Sequence, residues 1–327
     1  MRRRHFVTSL PCMAALPAWA QEPREAAWRE WKAAYLRGDG RVVDEENEGI
    51  SHSEGQAYGL LLAQAWGDRM AFARIEDWTR ANLAKRDDAL LAWKWQNGGI
   101  VDRRNATDGD LLRAWALLRA SRDSGWGEHA GKAEPIALAL VNSCLAPDPR
   151  APREWLLKPA SHIRTDQSVA IVNPSYYMLR ALIELGETTG QLPLLRAAAH
   201  GERLLTDPDA LRDWIAVTPA GIEAAPNLSH DFGWDALRLP LYLFWSGRRE
   251  HPALQMASAR FAAAPLKGHV ATVTDPAGKP LAQSDAAGFR AVAALAAGRP
   301  PVLPRPGQGY YADTLALLAQ IAWREGI

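Results

Sequence analysis

Cysteine is almost absent from this 327-residue chain, with only Cys12 and Cys144 present. Cys12 falls in an N-terminal segment read below as a removable leader, so no intrachain disulfide is available to the processed chain. A chain of this length buries enough apolar surface to fold without one. Cys144 sits among Leu140, Val141 and Leu145 and reads as a packed core thiol rather than a nucleophile. A surplus of one charge is lacking too: Lys and Arg number 38 against 37 Asp and Glu. Without the first twenty residues the balance is 35 against 37, a net charge of −2, which excludes a polyanion-binding excess. Also missing are G-x-G-x-x-G, P-loop, G-x-S-x-G and H-E-x-x-H patterns. The eight His residues form no ligand pair, so no metal or other cofactor is expected. With 48% hydrophobic and 23% charged residues, disorder, collagen and coiled coil are excluded. Tryptophan is the exception to scarcity: 14 residues against 7 Tyr, which calls for an aromatic core or for platforms under flat ligand faces.

Arg2-Arg3-Arg4 precedes a short apolar run ending Ala18-Trp19-Ala20, the charge, hydrophobic and small-residue order of a secretory leader over residues 1–20. Arg3-Arg4-His5-Phe6 also fits a loose twin-arginine pattern. The apolar run is too short, and too interrupted by Pro11 and Pro17, to span a bilayer, and no later segment reaches that length. The expectation is a periplasmic or secreted protein with no membrane span after processing.

Residues 21–327 read as helix after helix in one domain of roughly a dozen helices. Apolar residues recur at three- and four-residue spacing, as in Tyr58-Leu61-Leu62-Ala65-Trp66 and Leu111-Leu112-Trp115-Leu118. By the same spacing Trp66 and Trp115 pack between helices. Strand-like alternation is confined to hairpins over Trp214–Ala224 and Val270–Leu281. The proline-rich stretch Arg299–Pro306 predicts an extended connection before a last helix. Periodicity alone does not separate an open helical solenoid from a closed toroid.

Acidic residues gather at predicted helix starts. In Ser53-Glu54-Gly55-Gln56-Ala57-Tyr58-Gly59, Ser53 can cap a helix running to about Trp66, with Glu54 in its first turn. Gly55 and Gly59 each cost that helix about 1 kcal/mol relative to Ala, so something must approach its backbone beside Glu54. In Thr107-Asp108-Gly109-Asp110, Thr107 and Asp110 form a variant capping box, which leaves Asp108 unexplained. Asp235 and Arg238, three apart, can pair on one helix face. Singly, each site has an ordinary structural explanation. Together they suggest glycoside hydrolysis, which needs one carboxylic acid for the leaving oxygen and a second carboxylate for water or direct attack. Trp93 and Trp95, on one face if extended, supply candidate platforms for sugar rings.

These motifs resemble glycoside hydrolase family 8. Asn173-Pro174-Ser175-Tyr176-Tyr177, Trp234-Asp235-Ala236-Leu237-Arg238 and Gly309-Tyr310-Tyr311-Ala312-Asp313 extend the match in the family's order across nearly the whole processed chain. Within the family it most resembles the periplasmic endoglucanases encoded beside bacterial cellulose synthase. The resemblance implies an all-α (α/α)6 barrel, six helical hairpins in a toroid, and inverting hydrolysis of β-1,4-glucan. It implies Glu54 as general acid and Asp235 as general base. Asp108 matches a signature Asp described in the family as nucleophile or as holding the sugar; inversion has no covalent nucleophile, which favours holding. Asp110 is a second candidate for that contact, and Tyr176 and Arg238 match residues that position base, water and sugar. Two positions depart from the family pattern: Arg113, where Ile or Met is usual, and Trp234, where relatives commonly carry Tyr. The expected partner is a β-1,4-glucan, with a functional link to a cellulose synthase complex and no nucleic acid. Chitosan, xylan or mixed-linkage glucan as substrate, and a non-catalytic polysaccharide-binding role, remain alternatives.

Overall fold

The computed structural model describes residues 18–166 and 168–326, and the apolar spacing appears there as eleven α-helices among the described residues. The leader expected over residues 1–20 lies outside the described residues as far as residue 17. The helices are α1 (Ala18–Tyr35), α2 (Ser53–Ala65), α3 (Arg69–Asn82), α4 (Thr107–Arg122), α5 (Ala133–Cys144) and α6 (Leu179–Thr189). They continue with α7 (Leu192–Leu204), α8 (Leu239–Trp245), α9 (Pro252–Ala262), α10 (Ala287–Ala296) and α11 (Tyr310–Glu325).

Burial sorts them into two rings. Every residue of α8, all of Thr107–Ala120 in α4 and all of Ala287–Ala296 in α10 except Arg290 are buried, the mark of helices enclosed on nearly every side. Helices α2, α4, α6, α8, α10 and α11 touch in that order, and α11 returns to α2, closing an inner ring. The others expose one face and pack outside: α1 on α11, α3 on α2, α5 on α4, α7 on α6 and α9 on α10. This is the (α/α)6 toroid, with one difference. The sixth hairpin has no outer helix; the proline-rich stretch between α10 and α11 takes its place. Prolines 300, 301, 304 and 306 deny that stretch the amide donors a helix needs. It is tied down instead by the Val302 carbonyl, which accepts from Gln320 Nε2 of α11 at 2.9 Å. Inside it, α10 and α11 approach backbone to backbone, since a Cβ on Gly288 would overlap the Ala312 carbonyl.

The two expected hairpins form, as Ile215–Thr218 with Gly221–Ala224 and Val270–Thr274 with Pro280–Ser284. A strand at Ala170–Val172 adds to the first hairpin, and it and two further β elements were not legible in the sequence. One is the antiparallel pair Leu145–Asp148 with Ala151–Leu157. The other is a three-stranded antiparallel sheet of β1 (Ser51–His52), β2 (Lys94–Gln96) and β3 (Gly99–Asp102), in that order. Both are short and lack sustained alternation.

Packing uses the tryptophans heavily. Trp115 meets Trp245 edge to face at 4.9 Å, and Trp66 stacks on Trp28 at 5.9 Å, as their helical spacing predicts. Cys144 is fully buried, and burial pushes its thiol up to about 11, so it carries no thiolate. No helix among the described residues is long and apolar enough to cross a membrane.

Candidate active site

Because the outer helices, and the proline-rich stretch between α10 and α11, carry the chain back, the inner helices run parallel and begin at one end of the toroid. The first turns of α2, α4, α10 and α11 meet there, with 3-10 turns at Pro174–Tyr176 before α6 and Ala236–Arg238 before α8. Helix N-termini present unpaired amides and partial positive charge, which suits carboxylates in first turns. A cleft of about 1120 Å³ opens over this end, lined among others by Glu54, Tyr58, Trp93, Trp234, Asp235 and Arg238.

Arg238 organises the floor. Arg238 is 3% exposed, and its guanidinium bonds three carboxylates: Nη1 to Glu54 Oε1, and Nη2 to Asp108 Oδ2 at 3.1 Å and Asp235 Oδ1 at 2.9 Å. Its Nε donates to Ser175 Oγ at 3.1 Å, and Tyr176 lies against its face with the ring centroid 5.7 Å from Cζ. The pair read three apart along the chain is thus part of a four-residue cluster. Tyr58, one turn beyond Glu54, donates to Glu54 Oε1 at 2.8 Å and shares a 2.6 Å hydroxyl contact with Tyr242. Asp108 is 4% exposed, accepts its neighbour Gly109 N–H at 2.8 Å, and sits behind Glu54 and Arg238 rather than on the cleft wall.

The glycines of the motifs serve close packing of protein on protein. A Cβ on Gly109 would strike Ser53 and the Glu54 amide, so α4 and α2 meet there at backbone distance. A Cβ on Gly55 would lie 2.8 Å from the Tyr310 hydroxyl, and one on Gly59 2.9 Å from Val42 Cγ2. The caps also differ from expectation. His52, not Ser53, caps α2, its Nδ1 accepting from Gly55 N at 3.1 Å. Helix α4 has Ala106 at its capping position and no side-chain cap, and Asp110 is drawn away to bond Leu91 N at 2.7 Å and Asn105 Nδ2 at 3.0 Å.

Asp110 is therefore fully buried off the cleft, where it braces the segment carrying Trp93; burial pushes its carboxyl up to about 7. Trp93 lines the cleft and is pinned to the start of α2 by Ser53 N donating to its carbonyl at 2.9 Å. Trp95 does not join it. β2 begins only at Lys94, and Trp95 turns to Trp78, 5.4 Å edge to face, beneath Arg41. The expected two-tryptophan platform is reduced to Trp93. Trp234 is 54% exposed on the opposite wall beside Phe289 and Tyr311, and its carbonyl accepts from Tyr311 Oη at 2.7 Å.

Three environments separate the carboxyls. Burial favours the neutral form of Glu54, but Arg238, then His52 and Tyr58, outweigh it and hold Glu54 below the usual range. Asp108 is raised well above that range, first by burial and then by the Glu54 charge. The two carboxyls titrate as a coupled pair, in which the Glu54 charge adds to the rise of Asp108. Asp235 is raised to about 6, by burial against the pull of Arg238, with Asp213 and Glu54 adding to the rise. Sequence reasoning missed Tyr58, Tyr242, Ser175, Asp213 and His52. Only Tyr58 had a signal, its four-residue spacing from Glu54.

Among known proteins, the chain is 33% identical over 247 residues to a probable endoglucanase of Novacetimonas hansenii, covering 72% of this chain and 71% of that one. A family 8 endoglucanase structure from Klebsiella pneumoniae superposes with a TM-score of 0.82 at 27% identity, over 92% of this chain and 99% of that one. An endo-β-1,4-glucanase from Acetobacter xylinum superposes at 0.79 with 31% identity, over 93% and 99%. The family model described as glycosyl hydrolases family 8 matches residues 2–325, and the chain belongs to that family.

Proposed function

We propose that the protein is an inverting endo-β-1,4-glucanase whose chemistry is carried by Glu54 and Asp235, within a catalytic unit spanning residues 21–327. One observation supports it above the others: a single buried guanidinium gathers Glu54, Asp108 and Asp235 beneath a long aromatic-walled cleft. The endoglucanase relatives support the β-1,4-glucan substrate.

In this reading the glucan lies between Trp93 and Trp234. A glycosidic oxygen beside Glu54 accepts a hydrogen bond only if Glu54 is protonated, so bound substrate draws a proton from Asp108 to Glu54. The burial of Asp108 favours this role behind the acid over direct contact with the sugar. Glu54 then donates to the departing oxygen while Asp235 takes a proton from water attacking the opposite face. Asp235 near 6 is ionised at neutral pH yet basic enough to accept that proton. Arg238 and Tyr176 keep the base and the water in line. Export to the periplasm or beyond, through the leader over residues 1–20, and action on glucan made by a cellulose synthase complex complete the proposal.

The deciding experiment is a panel of carboxymethylcellulose, mixed-linkage glucan, xylan and chitosan, with NMR of the anomer formed first. Expected is cleavage of the cellulose-type substrate with the α-anomer appearing first. The β-anomer first would overturn inversion. Preference for another polymer would overturn the substrate, and binding without cleavage would overturn catalysis.

A further inference from the structure

Asp213 lies outside every motif discussed above, just before the strand Ile215–Thr218, and is 6% exposed. Its carboxylate is the hub of the turn that carries Asp235. Oδ1 accepts from the backbone amides of Gly233 at 3.1 Å, Asp235 at 3.0 Å and Ala236 at 2.9 Å. Oδ2 accepts from Ser229 Oγ at 2.9 Å. The chain closes around it as well: Asp213 N donates to the Asp231 carbonyl at 2.8 Å, and Trp214 N to that of Ser229 at 3.1 Å. The fit is tight enough to dictate a neighbour, because a Cβ on Gly233 would overlap Asp213 Oδ2.

Most deeply buried carboxylates are matched by a cation. Among the described residues no Lys, Arg or His forms an ion pair with Asp213; its neighbour Arg212 pairs with Asp209 instead. Dipoles alone offset the charge, and dipoles leave a net negative field around the turn.

We propose that Asp213 is a positioning residue of the reaction: it gathers the amides of the turn so that the Asp235 carboxylate is aimed at the attacking water, and its uncompensated charge acts on that carboxylate from behind. The proposal rests on the reading of Asp235 as the base. The groups facing Asp235 are Arg238 from its own turn, Asp213, Glu54 from α2, Asp108 from α4, Tyr176 from the turn before α6 and Tyr311 from α11. Of these, Arg238 favours the ionised base and the two carboxylates Asp213 and Glu54 oppose it. Removing the Asp213 charge therefore leaves Arg238 less opposed, and Asp235 becomes a weaker base that stays ionised to lower pH.

The test is Asp213→Asn in the full chain, with kcat, KM and the pH profile of kcat/KM measured on a soluble cello-oligosaccharide. In the parent the acid limb should fall near pH 6, where Asp235 takes up its proton. In Asp213→Asn the limb should move to lower pH by about half a unit or more. The loosened aim should cut kcat about 10- to 100-fold with KM within about threefold. An unmoved acid limb, or a loss of rate that only follows the fraction of folded protein, overturns the proposal. If Asp213→Asn does not fold, Ser229→Ala decides. It withdraws one donor from Asp213, strengthens the field at Asp235, and should move the limb to higher pH; a stationary limb overturns the proposal. Asp235→Asn is assayed alongside. Retained turnover there sinks the base itself, whereas a dead Asp235→Asn with a stationary limb in Asp213→Asn sinks only the role of Asp213.

Discussion

Glu54→Gln and Asp235→Asn are each expected to lower the rate of carboxymethylcellulose hydrolysis by about 10²–10⁴-fold, the contribution of a positioned acid or base. Neither should unfold the protein. Arg238 holds three carboxylates, and loss of one charge still leaves it two partners. The amide at position 54 can also still accept from Tyr58. A second substrate separates the two roles. On an aryl cello-oligosaccharide whose phenol leaves without a proton, Glu54→Gln should recover much of its rate. Asp235→Asn should not, because water still needs its base. Parent-level turnover of carboxymethylcellulose in both variants would overturn the assignment, and equal recovery in both would overturn the division of labour.

Arg113→Met is expected to destabilise the fold by about 3–5 kcal/mol, although it restores the apolar kind of residue usual in the family at this position. Arg113 on α4 and Glu76 on α3 form a two-bond ion pair, Nε to Oε2 at 3.1 Å and Nη2 to Oε1 at 2.7 Å, with side chains 8% and 2% exposed. Removing the guanidinium alone strands a carboxylate away from water. Removing both charges does not, so Glu76→Leu/Arg113→Met should return to within about 1 kcal/mol of the parent. Urea unfolding of the two single variants and the double variant measures both values. A single variant as stable as the parent would show that Glu76 reaches solvent on its own. Activity per folded molecule should be unchanged, because the pair lies on the outer wall, away from the cleft.

The helices were legible because apolar residues repeat at helical spacing, their closure into a toroid only through the family resemblance, and the three central acids because they open helices. Geometry that depends on other segments was not legible. Arg238 reads as the partner of Asp235, yet its bonds to Glu54 and Asp108 cross 184 and 130 residues of chain. Asp110 has the spacing of a capping box, but the Leu91 amide competes for it and wins. Trp95 reads as the twin of Trp93 by alternation. That rule applies only within one strand, and β2 starts between them. Asp213 gives no sequence signal, since its partners are backbone amides that any residue could supply.

The seam between α1 and α11 bears on how the molecule comes to be folded. The ring is sealed where α11 meets α1: Trp31 Nε1 donates to Thr314 Oγ1 at 2.9 Å across 283 residues, and Tyr35 Oη to Asp313 Oδ2 at 2.8 Å across 278. Contacts of such sequence separation carry a large loop-closure cost and form late. With α11 still unmade, α1 and α2 have no seam partner and the indole of Trp31 has no acceptor. A chain emerging from its N-terminus thus stays an open arc, with apolar edges exposed, until its last helix arrives. Closure of the ring therefore waits on α11, the last helix among the described residues.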